Sequence, residues 1–418
     1  MTDRIEARYW IETAYPLEAA ASTMAGEQST GTFVRVPGET DVLRERFGAR
    51  VEKLVPLGEV DKPSLPGSGL PRQGPAVRRT AEVTLSWPLH NLGPSLPNLL
   101  ATLAGNLWEL KPFSGMRLLD VRMPPEFLQA YRGPQFGVAG TRSLTGVHGR
   151  PLIGTIIKPS IGLSPQATVE QVTVLVEAGI DFIKDDELQG DGPHCPFDER
   201  VRAVMRVVNE HAERTGKKAM VAFNVTGDLD QMKRRHDLVL AEGGTCVMAV
   251  LNSIGLVGMH ELRRHSQLPI HAHRAGWGYL SRSAELGWDY APWQMLWRLA
   301  GADHLHVNGL RNKFSEPDDS VIAAARAVLA PVMPQAPMHA MPVFSSGQTG
   351  LQAADTYAAI GCADLIHTAG GGIFGHPGGV AAGVEALREA WVAAIEGVPL
   401  EQQAERNAAL TTALEFWK

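Results

Sequence analysis

The sequence predicts an α/β protein: a C-terminal (β/α)8 barrel of the TIM type preceded by a smaller α+β domain. Eight short apolar runs carry the barrel: Leu152 to Ile157, Phe182 to Ile183, Met220 to Val225, Cys246 to Leu251, Ile270 to His273, His304 to Val307, Met341 to Phe344 and Leu365 to His367. Room for a helix lies between each pair, the rhythm of a parallel sheet closed on itself. Each run also ends in polar or glycine residues: Lys158; Lys184 to Glu187; Asn224; Asn252; His273-Arg274; His306 with Asn308; Ser345-Ser346-Gly347; Gly370 to Gly372. A packed core has no use for such tips, so their shared place at strand ends predicts one face that carries chemistry. Finally, 418 residues exceed one ordinary core and predict two domains.

The first domain is expected over residues 1–124. Arg4 to Glu12 reads as a strand, Pro16 to Ala25 as an Ala-rich helix, and Gly31 to Val36, Arg50 to Leu57 and Thr80 to Trp87 as alternating strands. A helix across Ser95 to Leu103 and a strand across Met116 to Met123 complete a ferredoxin-like set. Between Lys62 and Pro75 a Pro, Gly and Ser cluster predicts a surface loop. Pro124-Pro125 marks the boundary, and a connector to Arg150 leads into the barrel, so that the second domain spans residues 125–418. Within it Thr168 to Ala178, Arg200 to His211, Leu229 to Ala241 and Val380 to Glu396 place apolar residues at helical spacing.

Composition excludes several functions. A formal net charge of -6 without a basic cluster argues against nucleic acid or an anionic membrane surface as partner. The first nine residues lack an apolar core of signal-peptide length, and no stretch approaches a membrane span. Cys195, Cys246 and Cys362 are too few and too scattered for a disulfide frame or a zinc site. A cytoplasmic protein is the expectation.

The chemistry centres on Asp181-Phe182-Ile183-Lys184-Asp185-Asp186-Glu187. A solvated charge run is the ordinary reading of clustered acids. Here they follow an apolar approach and fall at a strand's C-terminal end, where mutual repulsion in a dry site asks for a cation. Asp186 and Glu187 are oxygen ligands suited to Mg2+. Lys184 fits beside a divalent cation only as a carbamate, which presents oxygens and a negative charge; a lysine pairing with Asp185 or Asp186 is the equal alternative. Lys158, at the first strand's tip, is placed to move a proton. Gly370-Gly371-Gly372 with Gly375 to Gly379 offers backbone amides after strand eight, a place where barrels hold phosphate, although tight turns use glycines too. Arg274, His306 and Ser345 are placed for a second anionic group, and Lys313 lies in a loop long enough to fold over ligand.

Several of these motifs together resemble the large subunit of ribulose bisphosphate carboxylase: Gly154-Thr155-Ile156-Ile157-Lys158-Pro159, Asp181 to Glu187, His271-Ala272-His273-Arg274-Ala275, His304-Leu305-His306 with Lys313, and Gly370 to Pro377. Glu27, Ser29-Thr30-Gly31-Thr32 and Gly105-Asn106 resemble that family's amino-terminal motifs, so the likeness covers almost the whole chain. The resemblance implies that Lys184 is the CO2-carbamylated lysine and that Asp186 and Glu187 complete a Mg2+ site. It makes Lys158 the acid/base lysine, His273 a substrate-contacting or proton-handling residue, and Lys313 the mobile-loop lysine that steadies a carboxylate. Thr32, Gly347, Gly370 and Gly371 would hold one phosphate; Arg274, His306 and Ser345 would hold the group at the other end. Glu27, Thr32 and Asn106 would reach a neighbouring subunit's site, which implies a homodimer with shared sites.

Three departures redirect the function. Ser160 stands where the carboxylase has a second lysine, Trp277 where it has a histidine, and Ser346-Gly347-Gln348 follows Ser345 where it has two glycines. These changes should spoil a site made for a symmetric bisphosphate. The expectation is therefore a carboxylase-like (form IV) protein that does other enolate chemistry. Foremost is decarboxylation, or a related carbon-carbon lyase or transcarboxylase-hydrolase reaction, of a 3-oxo sugar-acid phosphate such as 3-oxo-isoapionate 4-phosphate. The alternatives are a methylthio ketose phosphate enolase or isomerase of methionine salvage, and a binding protein without catalysis. Asn106, where the salvage enolases resemble one another in having a lysine base, counts against the first alternative; the intact Lys184, Asp186 and Glu187 set counts against the second.

Overall fold

The computed structural model describes residues 3–31, 36–72 and 77–418. They form two compact units, Met1–Tyr131 with Gly276–Leu296, and Arg132–Ala275 with Trp297–Lys418.

The first unit is built on a sheet. Its strands Arg4–Thr13, Arg50–Val60, Arg78–Pro88 and Phe113–Arg122 pair antiparallel, with Arg4–Thr13 between the last two. Alternation sets the faces: Ile5, Ala7, Tyr9 and Ile11 are buried, whereas Arg8 turns outward to Glu82 across the ladder. The helices Leu17–Glu27 and Leu96–Leu103 form where the sequence places them, the second capped by Ser95, whose hydroxyl accepts the Asn98 N–H. The expected strand from Gly31 to Val36 falls largely outside the described residues. The unit continues past the expected boundary at Pro124 through the short helix Pro125–Gln129 to Tyr131. It also takes in a distant segment: Leu286–Trp288 adds a parallel edge strand to Phe113–Arg122. Three residues carry too little pattern to announce a strand, and this one was not foreseen. Trp277, expected to reshape the ligand pocket, is buried in this unit, with ring centroids 5.1 Å from Tyr290 and 4.7 Å from Trp293.

The second unit is a closed barrel of eight parallel strands: Leu152–Ile156, Phe182–Lys184, Met220–Asn224, Cys246–Val250, Ile270–His273, His304–His306, Met341–Phe344 and Ile366–Thr368. Each pairs with its sequence neighbours, and the eighth closes onto the first. Leu152, Phe182, Met220, Ala222, Met248, Met341, Val343 and Ile366 pack into a core. The helices around it start and stop for local reasons. Pro165–Glu177 begins with Ser164 accepting the Ala167 N–H and Pro165 in its first turn. Phe197–Thr215 carries Asp198 and Glu199 in its first turn and ends at Gly216 in the left-handed region. Leu229–Ala241 and Val380–Glu396 match the sequence reading to the residue. Among the described residues no helix is long and apolar enough to cross a membrane, and all three cysteines are free.

Candidate active site

The second barrel strand is three residues long and carries a different task at each end. At its start Asp181, fully buried, pairs with Arg150 at 2.5 Å and Lys217 at 2.7 Å. Burial opposes its charge, yet these two cations hold its carboxyl below the usual aspartate range. Asp181 therefore anchors the entry to the strand and stands apart from the acids that follow.

At the strand's far end the side chains diverge. Asp185 turns into the protein, where it accepts the Asn224 N–H at 2.9 Å and pairs with the buried Arg200 at 3.1 Å. Asp186, 2 % exposed, accepts from Lys158 Nζ at 2.6 Å. Lys184 is 1 % exposed; its ammonium donates to the Asp185 carbonyl at 2.7 Å and lies 3.5 Å from Glu187 Oε2. Burial lowers the Lys184 pKa, and the neighbouring acids only partly restore it. Glu187 Oε2 is also 3.4 Å from His273 Nε2. Two sets of contacts thus lie at the tips of the first, second and fifth strands: Lys158 with Asp186, and Lys184 and His273 with Glu187.

The donor set fits a hard divalent cation. Two carboxylates lie beside a buried lysine, and burial weakens that lysine's hold on its proton. His273 Nδ1 accepts the Ala275 N–H at 3.2 Å, so the proton sits on Nε2, facing Glu187. Burial, then the Lys184 charge, pushes the His273 pKa well below 6.5, which leaves the ring neutral.

Arg274, Ser345, Gly347 and Gly370 follow the fifth, seventh and eighth strands, and His306 ends the sixth. Arg274 follows the fifth strand, and its guanidinium pairs with Glu316 at 2.6 Å. His306 Nδ1 is 3.1 Å from Ser345 Oγ, and its ring lies 4.5 Å from that of His273. Gly347 is in the left-handed region at φ 81°, and a Cβ there would lie 3.4 Å from Lys313 Cβ. Gly370 precedes the short helix Gly371–Phe374, and a Cβ on it would meet Lys158 Cε at 3.5 Å. A side chain at either glycine would thus touch a lysine. Lys313 donates its backbone N–H to the Ser346 carbonyl, but its side chain is exposed, with the ammonium 5.3 Å from the Phe314 ring centroid. In the first unit Asn106 Nδ2 donates to Glu27 Oε1 at 3.3 Å, so the structure joins these two expected residues. Thr32 lies outside the described residues.

Ser160, read from the sequence as a departure at the site, and Glu316, which sequence reasoning did not place there, both contact these residues. Ser160 Oγ accepts from Lys158 Nζ at 2.8 Å, a partner where a second lysine would repel. Glu316 holds Arg274, Asn308 and Ser320 together. Its one signal in the sequence is an acid three positions beyond the loop lysine. Elsewhere, His236, Asp237 and His265 cluster with potential ligand atoms within 4.8 Å of one another. Hydrogen bonds account for that cluster: His236 Nε2 accepts the Gln267 N–H, so His236 Nδ1 and His265 Nε2 both donate to Asp237.

An eight-stranded parallel barrel with lysine and carboxylate tips, together with a separate α+β unit, defines a carboxylase-type architecture. The model for the ribulose bisphosphate carboxylase large-chain catalytic domain matches residues 137–417, and that for the large-chain N-terminal domain matches residues 5–127. The chain belongs to this family. It is 66% identical over 420 residues, covering 100% of this chain and 100% of that one, to a 3-oxo-isoapionate-4-phosphate transcarboxylase/hydrolase of Xanthobacter autotrophicus. It is 44% identical, over 97% of each chain, to a 3-oxo-isoapionate-4-phosphate decarboxylase of Rhizobium etli. The crystal structure of a rubisco-like protein from Burkholderia fungorum is similar with a TM-score of 0.93 and 45% identity, covering 99% of this chain and 100% of that one.

Proposed function

We propose that the chain is an enzyme that breaks the bond between the carboxyl group and its neighbouring carbon in a phosphorylated 3-oxo sugar acid, with 3-oxo-isoapionate 4-phosphate as the substrate. The convergence of Lys158, Lys184, Asp186, Glu187 and His273 carries this reading, and the two relatives named for that substrate support it. In a 3-oxo acid the carboxyl sits β to a carbonyl. When the C1–C2 bond breaks, its electron pair passes into the C2–C3 bond and onto the carbonyl oxygen, giving an enolate. Mg2+ held by carbamylated Lys184, Asp186 and Glu187 would polarise the carbonyl and offset the charge that develops on its oxygen.

The remaining work belongs to the chain's own side chains. Lys158 Nζ, held by Asp186 and Ser160, would return a proton to C2. His273, neutral and protonated at Nε2, donates a hydrogen bond from the site's edge. Lys313, carried inward by its loop, would orient the departing carboxylate, and Asn106 with Glu27 would do so from a neighbouring subunit in a homodimer. Gly347, Gly370 and Gly371, with Thr32, would receive the phosphate on backbone amides.

The two relatives' names differ in the fate of the carboxyl group. With substrate labelled with 13C at C1, release of label as CO2 assigns decarboxylation, and label retained in a new carboxylate assigns transfer followed by hydrolysis. The 66% relative favours the second. Label remaining at C1 of unchanged substrate, in the presence of Mg2+ and bicarbonate, would overturn the proposal.

A further inference from the structure

The three expected anion-binding residues Arg274, His306 and Ser345 are already engaged by the protein, and the direction of each hydrogen bond can be traced from the barrel floor. Thr141 Oγ1 is 2.5 Å from the Gly137 carbonyl, which can only accept, so the threonine proton is spent there. His304 Nε2, 2.8 Å from the same oxygen, must then be the protonated nitrogen. His304 Nδ1 is left bare and faces His271 Nδ1 at 3.4 Å, which donates to it. His271 Nε2 is consequently bare and accepts from His306 Nε2 at 2.7 Å. His306 Nδ1 is then an acceptor, and the group 3.1 Å away that can supply its proton is the Ser345 hydroxyl. Burial pushes His271, His304 and His306 far below 6.5, in keeping with a chain of neutral rings.

This polarity reverses what the tip can offer. His306 has committed its N–H inward, and Ser345 presents lone pairs. Beside it Ser346 Oγ donates to Asn308 Oδ1 at 2.9 Å, and Asn308 Nδ2 donates to Glu316 Oε2 at 2.7 Å. The same Glu316 oxygen accepts from Arg274 at 2.6 Å, and Ser320 Oγ donates to the other at 2.9 Å. Arg274 and Glu316 are 10% and 12% exposed at their side chains, so their charges cancel where water screens little. A phosphate entering here would meet a carboxylate and serine lone pairs. A hydroxyl group would find acceptors.

We propose that the end of the site formed by Arg274, His306 and Ser345 is a subsite for an uncharged, hydroxyl-bearing end of the substrate, and that Glu316 is the specificity-determining residue that excludes phosphate from it. The inference rests on the functional reading above in placing the substrate's single phosphate at the glycine end.

Calorimetry on the full chain with Mg2+ and bicarbonate tests it, using a pentitol 5-phosphate and the matching pentitol 1,5-bisphosphate as probes. The wild type is expected to bind the monophosphate at least as tightly as the bisphosphate. Glu316→Gln should shift the ratio of the two affinities toward the bisphosphate by about tenfold or more, as removal of an opposing charge allows. Glu316→Asp, which keeps the charge, should leave the ratio near that of the wild type. A wild type that prefers the bisphosphate by about tenfold would overturn the inference on its own, even if neither variant folds. So would an unchanged ratio in a folded Glu316→Gln. Because the ratio is read without turnover, a chain that fails the 13C assay yet rejects the bisphosphate retains this subsite and loses only the proposed reaction.

Discussion

Lys184 is the residue on which the proposed chemistry turns. Its amine is buried, its pKa is lowered, and its nearest carboxylate is Glu187. Lys184→Ala is expected to reduce turnover by more than about 100-fold, beyond the usual cost of disturbing an outer partner of a metal site. Bicarbonate-dependent Mg2+ binding by calorimetry should vanish with it, while circular dichroism stays unchanged; normal binding would remove the carbamate. Lys158→Gln should lower kcat by about 100-fold or more and leave Mg2+ binding in place, as loss of a proton-transfer group predicts. The acids around Lys184 were legible in the sequence, Asp186 and Glu187 among them as metal ligands, but the partners of Asp181 and Asp185 were not. Successive side chains at a strand tip point opposite ways, which sends Asp185 inward to Arg200 and leaves Asp186 facing Lys158. Glu316 was illegible for another reason: its partner Arg274 lies 42 residues earlier, and nothing in the local pattern joins them.

At the scale of elements, the second barrel strand shows how a short segment is held. Three residues form it, and Asp181 ties its start to Arg150 and Lys217. Asp181→Asn would leave two cations facing a neutral group, at a cost of about 3 kcal/mol by analogy with broken buried pairs. Urea denaturation should show that loss at pH 7. The folded-state pKa of Asp181 is lowered, so its contribution is present above the unfolded value of 3.8 and fades as pH falls through the folded one. Wild type and variant should accordingly converge in strongly acidic solution. The barrel strands were readable because each is an apolar run ending in polar residues. The edge strand Leu286–Trp288 was not, since its pairing with Phe113–Arg122 is a tertiary choice that three residues cannot encode.

For the molecule as a whole, buried histidines of the second unit set the response to acid: His304 on the sixth barrel strand and His367, which accepts from Trp391 of the helix Val380–Glu396. His304 and His367 are held at about 3 by burial, far below the ordinary 6.5. Between those values the unfolded chain takes up a proton at each that the folded chain refuses. Stability is therefore full above about pH 6.5 and declines below it, by about 1.4 kcal/mol per pH unit for each ring. Moving from pH 7.5 to 5.5 should cost about 3 kcal/mol from this pair, seen as a lower denaturation midpoint; a midpoint flat across that range would contradict the burial of these rings in neutral form. The discontinuous make-up of the first unit bears on synthesis. As the chain leaves the ribosome, residues 1–131 emerge with the Phe113–Arg122 border still lacking Leu286–Trp288, which arrives some 160 residues later. Until then that border is an open template for other nascent chains, so translation speed and chaperone cover over this interval should govern the yield of correctly assembled protein.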